Sequence, residues 1–276
     1  MTTTHSQFEI RHCHTVDEFH QCVELQKTVW GFDDRDLIPV RMFVVARKVE
    51  GQIIAAFAPE GRMAGFCLAV PALHGEQVYL HSHMLAVLPE FRRAGVGQLL
   101  KWEQRREALA RGIKLIEWTF DPLEWKNAAL NLNRLGAIAR RYLPNIYGIS
   151  SSPLHRGLPT DRLVAEWWLD SPRVRDAADG SQILVTTSAG RIDFDLTHSP
   201  TSSASNHSTE SVQQHLRTKL LEAFAAGLAV TSFESAESSR GTYRLSIVDD
   251  LFDAITERSQ SAADSIQPPP ATISPS

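Results

Sequence analysis

"LPEFRRAGVGQLL" (residues 88–100) closes an apolar, strand-like run and opens an amphipathic one. It sets Arg92 and Arg93 beside Gly95 and Gly97 at the junction. A glycine turn ahead of a helix suits a pyrophosphate. Glycines let the backbone come close, the first-turn N–H groups point at the anion, and the helix dipole favours negative charge. A G-x-x-x-x-G-K-[ST] phosphate loop fails here, because Gln98 and Leu99 follow Gly97. A G-x-G-x-x-G dinucleotide fingerprint lacks its third glycine. The pattern left is [RQ]-x-x-G-x-[GA], met by Arg92, Gly95 and Gly97.

The flanks of this turn predict its setting. Residues 77–88, "QVYLHSHMLAVL", are apolar on both faces and read as a central strand. Residues 96–111 read as a helix stopped by Gly112, and 113–120, "IKLIEWTF", as the next strand. That strand–helix–strand series predicts two parallel strands with a right-handed crossover. Upstream, 8–14 reads as a short strand and 16–30 as a helix capped by Thr15. Pro39 starts a shorter helical piece, and 52–71 reads as a hairpin turning at Pro59 to Gly61. Downstream, 124–141 reads as a helix broken near Gly136, and 162–169 as a strand. After "DSPRV" come short strands "SQILVTT" and "RIDFDL", a polar loop over 197–210, a helix over 211–230 and a last strand "GTYRLSIV". In that helix Val212, Leu216, Leu220 and Phe224 form one stripe. The end is Ser/Pro-rich and reads as disordered.

Bulk properties narrow the class. A chain of 276 residues holds one large domain or a domain with a companion. A net charge of −4 gives no general pull toward nucleic acid or an anionic membrane. Three cysteines without a C-x-x-C pair argue against a disulfide framework or a zinc site. No signal peptide or membrane-length apolar run is visible, so the expectation is a soluble cytoplasmic protein.

The pattern on a strand ending "LAVLPEFRRAGVG" resembles the signature of the GNAT superfamily of acyl-CoA-dependent N-acyltransferases. The predicted element order over residues 8–170 is similar to that fold, and "NLNRLGA" (131–137) sits at its penultimate helix. "WTFDPLEWKNAALNLNRLGA", "YLPNIYG" and "LPTDRLVAEWWLDSPRV" resemble an uncharacterised GNAT subgroup with a C-terminal extension. The resemblance implies an α/β fold of the α+β, mixed-sheet kind with splayed central strands. It implies a GNAT domain over 1–170, a small α/β C-terminal subdomain over 171–255 and a disordered tail over 256–276. The co-substrate would be acetyl-CoA or another acyl-CoA, with no metal.

For the donor, the resemblance implies that backbone N–H groups of Arg93, Ala94, Gly95, Val96 and Gly97 hold the pyrophosphate, with Gln98 at the helix start. Leu85, Ala86 and Val87 would pair with the pantetheine arm as a pseudo-strand, and Arg92 and Arg93 would neutralise phosphates. The backbone N–H near Leu85 or Ala86 would serve as oxyanion donor.

Acyl transfer to an amine also needs a base. Period two places Tyr79, His81, His83, Leu85 and Val87 on one strand face, and Leu115, Glu117, Thr119 and Asp121 on one face of the next. Parallel neighbours would bring Glu117 to His81 or His83, orienting the histidine and raising its pKa. His81 aligns with a position where some GNAT members carry a catalytic glutamate, so His81 and Glu117 are the candidate bases, with His83 behind them. Many members have a general-acid tyrosine where this chain has Leu132. Asn127, Asn131 and Asn133 then become candidate pantetheine contacts, and Tyr142 and Tyr147 candidate acids. His83, Arg41 and Arg162 are candidate acceptor contacts, an arginine gripping a carboxylate if the amine is an amino acid.

The expected function is transfer of an acetyl, succinyl or other acyl group to a small primary amine by direct attack. The alternative is a non-catalytic acyl-CoA-binding sensor. No nucleic-acid or membrane partner is expected, and the C-terminal subdomain either closes over the site or mediates a homodimer.

Overall fold

The computed structural model describes residues 7–148, 157–183, 188–195, 206–236 and 240–247. Part of "SQILVTT", most of the polar loop and the tail over 256–276 lie outside these residues. The N-terminal elements run β1 (Glu9–His12), α1 (Val16–Trp30), α2 (Val40–Lys48), β2 (Gln52–Phe57), β3 (Met63–His74), β4 (Gln77–Val87), α3 (Val96–Ala110) and β5 (Leu115–Phe120). Then follow α4 (Trp125–Ala128), β6 (Ile138–Leu143), β7 (Arg162–Trp168), α5 (Pro172–Ala178), β8 (Gly190–Asp195), α6 (Asn206–Ala225), β9 (Leu228–Ala236) and β10 (Arg240–Ile247).

Among the described residues, the strands join one mixed sheet in the order β1-β2-β3-β4-β5-β7-β6-β9-β10-β8. The expected parallel pair is β4 with β5, and it spans only Leu80↔Ile116 and His81↔Glu117. Beyond that point β4 stays on β3 while β5 stays on β7. The central strands therefore part at His81 and Glu117, which is the expected splay.

Local chemistry accounts for several boundaries. Thr15 caps α1 in a reciprocal capping box with Glu18, and Gly31 ends the helix in the left-handed region. One face of the sheet buries Phe66, Leu68, Met84 and Ala86 against Phe19 and Cys22 of α1 and Phe43 of α2. The other face buries Leu80, Ile116, Trp118 and Trp167 in a cluster with Ala108 of α3 and Leu216 and Leu220 of α6.

Three expectations need correction. The helix expected over 124–141 is α4 followed by a π turn, Ala129–Arg134, and the chain then becomes β6. Gly136, at φ 74°, supplies the left-handed residue that ends the helix, and Ile138 onward pairs with β7. The helix expected from 211 begins at Asn206, and Leu228 to Val230 belong to β9, since Gly227 breaks the helix at φ 74°. The uniform alternation expected along β4 is interrupted by a bulge. Leu68 faces Met84 while Ala69 faces Ser82, so His83 is the extra residue.

Candidate active site

The glycine turn is built from backbone. A 3-10 turn, Pro89–Ala94, leads to Gly95 at φ 76°, and no side chain caps α3. No side chain takes the N–H groups that open α3, which suits an anion, although the Gln98 N–H already donates to the Gly95 carbonyl at 3.0 Å. Arg92, Arg93, Ala94 and Gly95 are exposed, Gly97 and Gln98 half-buried, and Val96 buried. The Arg92 guanidinium donates from Nε to the Val87 carbonyl at 3.3 Å. A Cβ on Gly97 would lie 3.8 Å from both Leu85 Cδ2 and Val87 Cγ2. Those two side chains therefore sit beneath α3, while Ala86 packs on the opposite face.

The bulge re-sorts the β4 side chains. Ser82 turns toward α3, where it meets Lys101 and Gln104. His81 pairs across to Val70, which packs on the face of α1 and α2. Its ring lies 6.2 Å from that of His83, so the two histidines neighbour each other, but Leu85 and Val87 have crossed to the other face. The single row expected from Tyr79 to Val87 is overturned by one extra residue.

The expected coupling of Glu117 to His81 or His83 is also overturned. Glu117 is the cross-strand partner of His81 in backbone register. Its buried carboxylate accepts from Arg141 and meets His74 Nε2 at 3.3 Å. Arg141 also bonds through Nε to Glu166 at 3.2 Å, and Arg140 Nε meets Glu166 at 2.9 Å. Two arginines from β6 thus hold the carboxylates of β5 and β7. The pKa of His81 is lowered rather than raised, by desolvation first, then by His83 and Lys101. His81 is half-buried and His83 exposed.

The remaining candidates divide. Tyr142 is buried and its hydroxyl donates to Asp161 at 2.6 Å. Desolvation and that carboxylate push its pKa up, so it is a structural phenol rather than an available acid. Tyr147 is exposed, with its hydroxyl 2.8 Å from Thr119 Oγ1 on the free half of β5. Asn133 is spent on β9: its amide donates to the Phe233 carbonyl at 2.6 Å and its oxygen accepts the Phe233 N–H at 3.0 Å. It is therefore not available to a pantetheine arm. Asn127 is exposed on α4, Asn131 is buried in the π turn, and Leu132 is fully buried. Arg162 is buried, donates to the Asp161 carbonyl and lies 3.8 Å from Asp121, so it does not reach out for a carboxylate. Arg41 is exposed on α2.

A further cluster is absent from the sequence-level candidates. Lys101 is fully buried with its ammonium 3.7 Å above the Trp118 ring, 2.7 Å from Gln104 Oε1 and 3.3 Å from Ser82 Oγ. Burial pushes its pKa down to about 7. The signal available in sequence was a lysine three residues before Gln104 and seven before Ala108, on the stripe of α3 that enters the core.

Residues 15–136 match the family model of the acetyltransferase (GNAT) family. No curated protein matches the chain. Among solved structures, NAA60 of Arabidopsis thaliana with a bisubstrate analogue is 14% identical, with a TM-score of 0.49, covering 58% of this chain and 97% of that one. The ribosomal-protein-S18-alanine N-acetyltransferase of Escherichia coli is 15% identical, with a TM-score of 0.45, covering 66% and 98%. Ard1 of Thermoplasma volcanium is 14% identical, with a TM-score of 0.45, covering 58% and 96%. The matched segment contains the parted strands, the uncapped helix start and the glycine turn between them, and over residues 15–136 the chain matches the acetyltransferase (GNAT) family.

Proposed function

We propose that this chain transfers an acetyl group from acetyl-CoA to a small primary amine by direct attack in a ternary complex. The observation that carries the reading is the parting of β4 and β5 at His81 and Glu117, followed at once by the uncapped start of α3. The free edge of β4 over Leu85, Ala86 and Val87 offers backbone groups to the pantetheine arm. The turn from Arg93 to Gly97 offers N–H groups to the pyrophosphate, Gln98 stands beside it at the helix start, and Arg92 and Arg93 add positive charge.

His81 is the base that this geometry favours. A lowered pKa keeps the ring neutral near pH 7, ready to take a proton from the acceptor, directly or through a water, so that the neutral amine attacks the thioester. Glu117 is held by Arg141 and His74 and acts as part of the pocket wall. The backbone N–H near Leu85 or Ala86 would stabilise the oxyanion. Tyr147 is the acid candidate that remains exposed, while His83 and Arg41 remain acceptor contacts.

The buried Leu132, in place of a tyrosine, favours a second reading as an acyl-CoA-binding sensor. Thiol release from acetyl-CoA across a panel of amines separates the two. Release with one or more amines supports transfer. Coenzyme A binding with no release, whatever the amine or acyl donor, supports the sensor.

A further inference from the structure

We propose that Arg217 on α6 is a positioning residue for the acceptor, setting Tyr147 against the free half of β5 through Asp161, so that the C-terminal segment shapes the acceptor pocket. The inference rests on the reading that the face bearing His81 receives the amine.

The hydrogen bonds form a continuous chain. Arg217 grips Asp161 with two arms, Nε to Oδ2 and Nη2 to Oδ1, both at 2.8 Å. Asp161 is fully buried and also accepts the Tyr142 hydroxyl at 2.6 Å and the Asn145 N–H at 2.9 Å. One turn away on α6, Gln213 Nε2 donates to the Pro159 carbonyl at 2.9 Å. Between these two anchors lies Thr160, also fully buried. Its hydroxyl accepts the Tyr147 N–H at 3.0 Å and donates to the Gly148 carbonyl at 3.1 Å, and its N–H donates to Asn145 Oδ1 at 3.1 Å. Residues 145–148 are thus fastened to 159–161, which are fastened to α6. At the far end the Tyr147 hydroxyl meets Thr119 at 2.8 Å.

Thr119 decides where this chain leads. It lies two residues past Glu117, the last β5 residue that pairs with β4, and so on the same face as Glu117. Tyr147 therefore covers β5 where its β4 neighbour has left, on the side that carries His81. The glycine turn lies on the opposite side, over Leu85 and Val87. Loosening Tyr147 should weaken acceptor binding and, since Tyr147 is also the acid candidate, lower kcat, while leaving donor binding intact. A buried carboxylate with two arms of one guanidinium is also a rigid joint, since the fork fixes orientation as well as distance.

The test uses the full chain and three variants: Arg217→Met, Arg217→Lys, and Arg217→Met combined with Asp161→Asn. The double variant leaves no unpaired buried charge and keeps the question open to measurement should the single variant fail to fold. Expected is a rise of about tenfold in the acceptor KM, with the coenzyme A Kd within about twofold of the parent. The lysine variant should fall between, because a point charge cannot bridge both oxygens. Amide hydrogen exchange should show lost protection at Asn145 and Tyr147. Unchanged protection in the folded variants would overturn the proposal, as would an equal loss of acceptor and donor affinity. If the parent binds coenzyme A yet acylates no amine, the transfer reading fails, and the exchange result alone still decides whether Arg217 positions Tyr147.

Discussion

Between Leu88 and Gly97 the protein makes one wall of the proposed site from consecutive backbone: a 3-10 turn, a left-handed glycine and an uncapped helix start. Across the sheet it makes the other wall from side chains far apart in sequence. Arg217 reaches Asp161 over 56 residues, and Arg141 reaches Glu117 over 24. The first wall presents N–H groups to whatever anion arrives, a constant requirement when the donor always carries a pyrophosphate. The second is a set of matched charges whose spacing can be changed one residue at a time. The difference suggests a division of labour, with a fixed donor grip and an adjustable acceptor pocket.

The sharpest way to break that division is at Gly97. Its Cβ would meet only Leu85 Cδ2 and Val87 Cγ2, both at an ordinary 3.8 Å. The fold therefore has room for a first carbon, while a branched side chain crowds the place where phosphate must approach backbone. Gly97→Val should weaken coenzyme A binding by about 100-fold or more in calorimetric titration, with a melting temperature within a few degrees of the parent. Retained affinity would mean that the turn is only a turn.

A smaller effect is expected on the other wall. His81→Gln should lower kcat by about 100-fold, leaving coenzyme A affinity unchanged. The pH profile adds a direction. In the proposed role the competent form of His81 is neutral, and burial, His83 and Lys101 hold its pKa below the usual histidine value. Activity should fall as pH drops through that lowered pKa, and the variant should lose this limb. A variant that keeps both its rate and its limb would move the base elsewhere and remove the chemistry from this face.

The contrast between the walls also explains what could be read before the structure. Arg92, Gly95 and Gly97 are contiguous, and a left-handed residue before a helix leaves its mark in the residue type itself. The order of strands around them was legible for the same reason, because apolar alternation is local. The acceptor wall was not. Parallel pairing predicts Glu117 beside His81 or His83, and the register sets it opposite His81, yet Arg141 captures its carboxylate from two strands away. The sequence offers Asn133 to a ligand, but β9 takes both ends of its amide. The bulge at His83 turned the later β4 residues over, and nothing in "LHSHMLAV" distinguishes a bulge from simple alternation. Each miss concerns a partner supplied by another part of the chain.

Lys101 sits at the seam between the walls, on the helix that begins at the turn and beneath the bulge through Ser82. Its effect should be the smallest on activity and should appear in stability. Burial pushes the folded pKa down to about 7, whereas the unfolded chain holds the proton up to about 10.4. Between these values the unfolded state binds more protons, so stability rises with pH, by up to about 1.4 kcal/mol per unit. The buried thiols of Cys22 and Cys67 act in the opposite sense, since their raised pKa values keep them protonated after unfolded cysteines have begun to ionise. That opposing contribution starts near pH 8.5, so the window to measure is pH 7 to 8. Urea unfolding should show the parent gaining stability across this window and Lys101→Met staying flatter. An equal slope in both proteins would mean that the ammonium is not desolvated between Trp118 and Gln104. If the slope is lost while acceptor KM and coenzyme A affinity stay put, the seam is a matter of folding, and the two walls are independent to within that measurement.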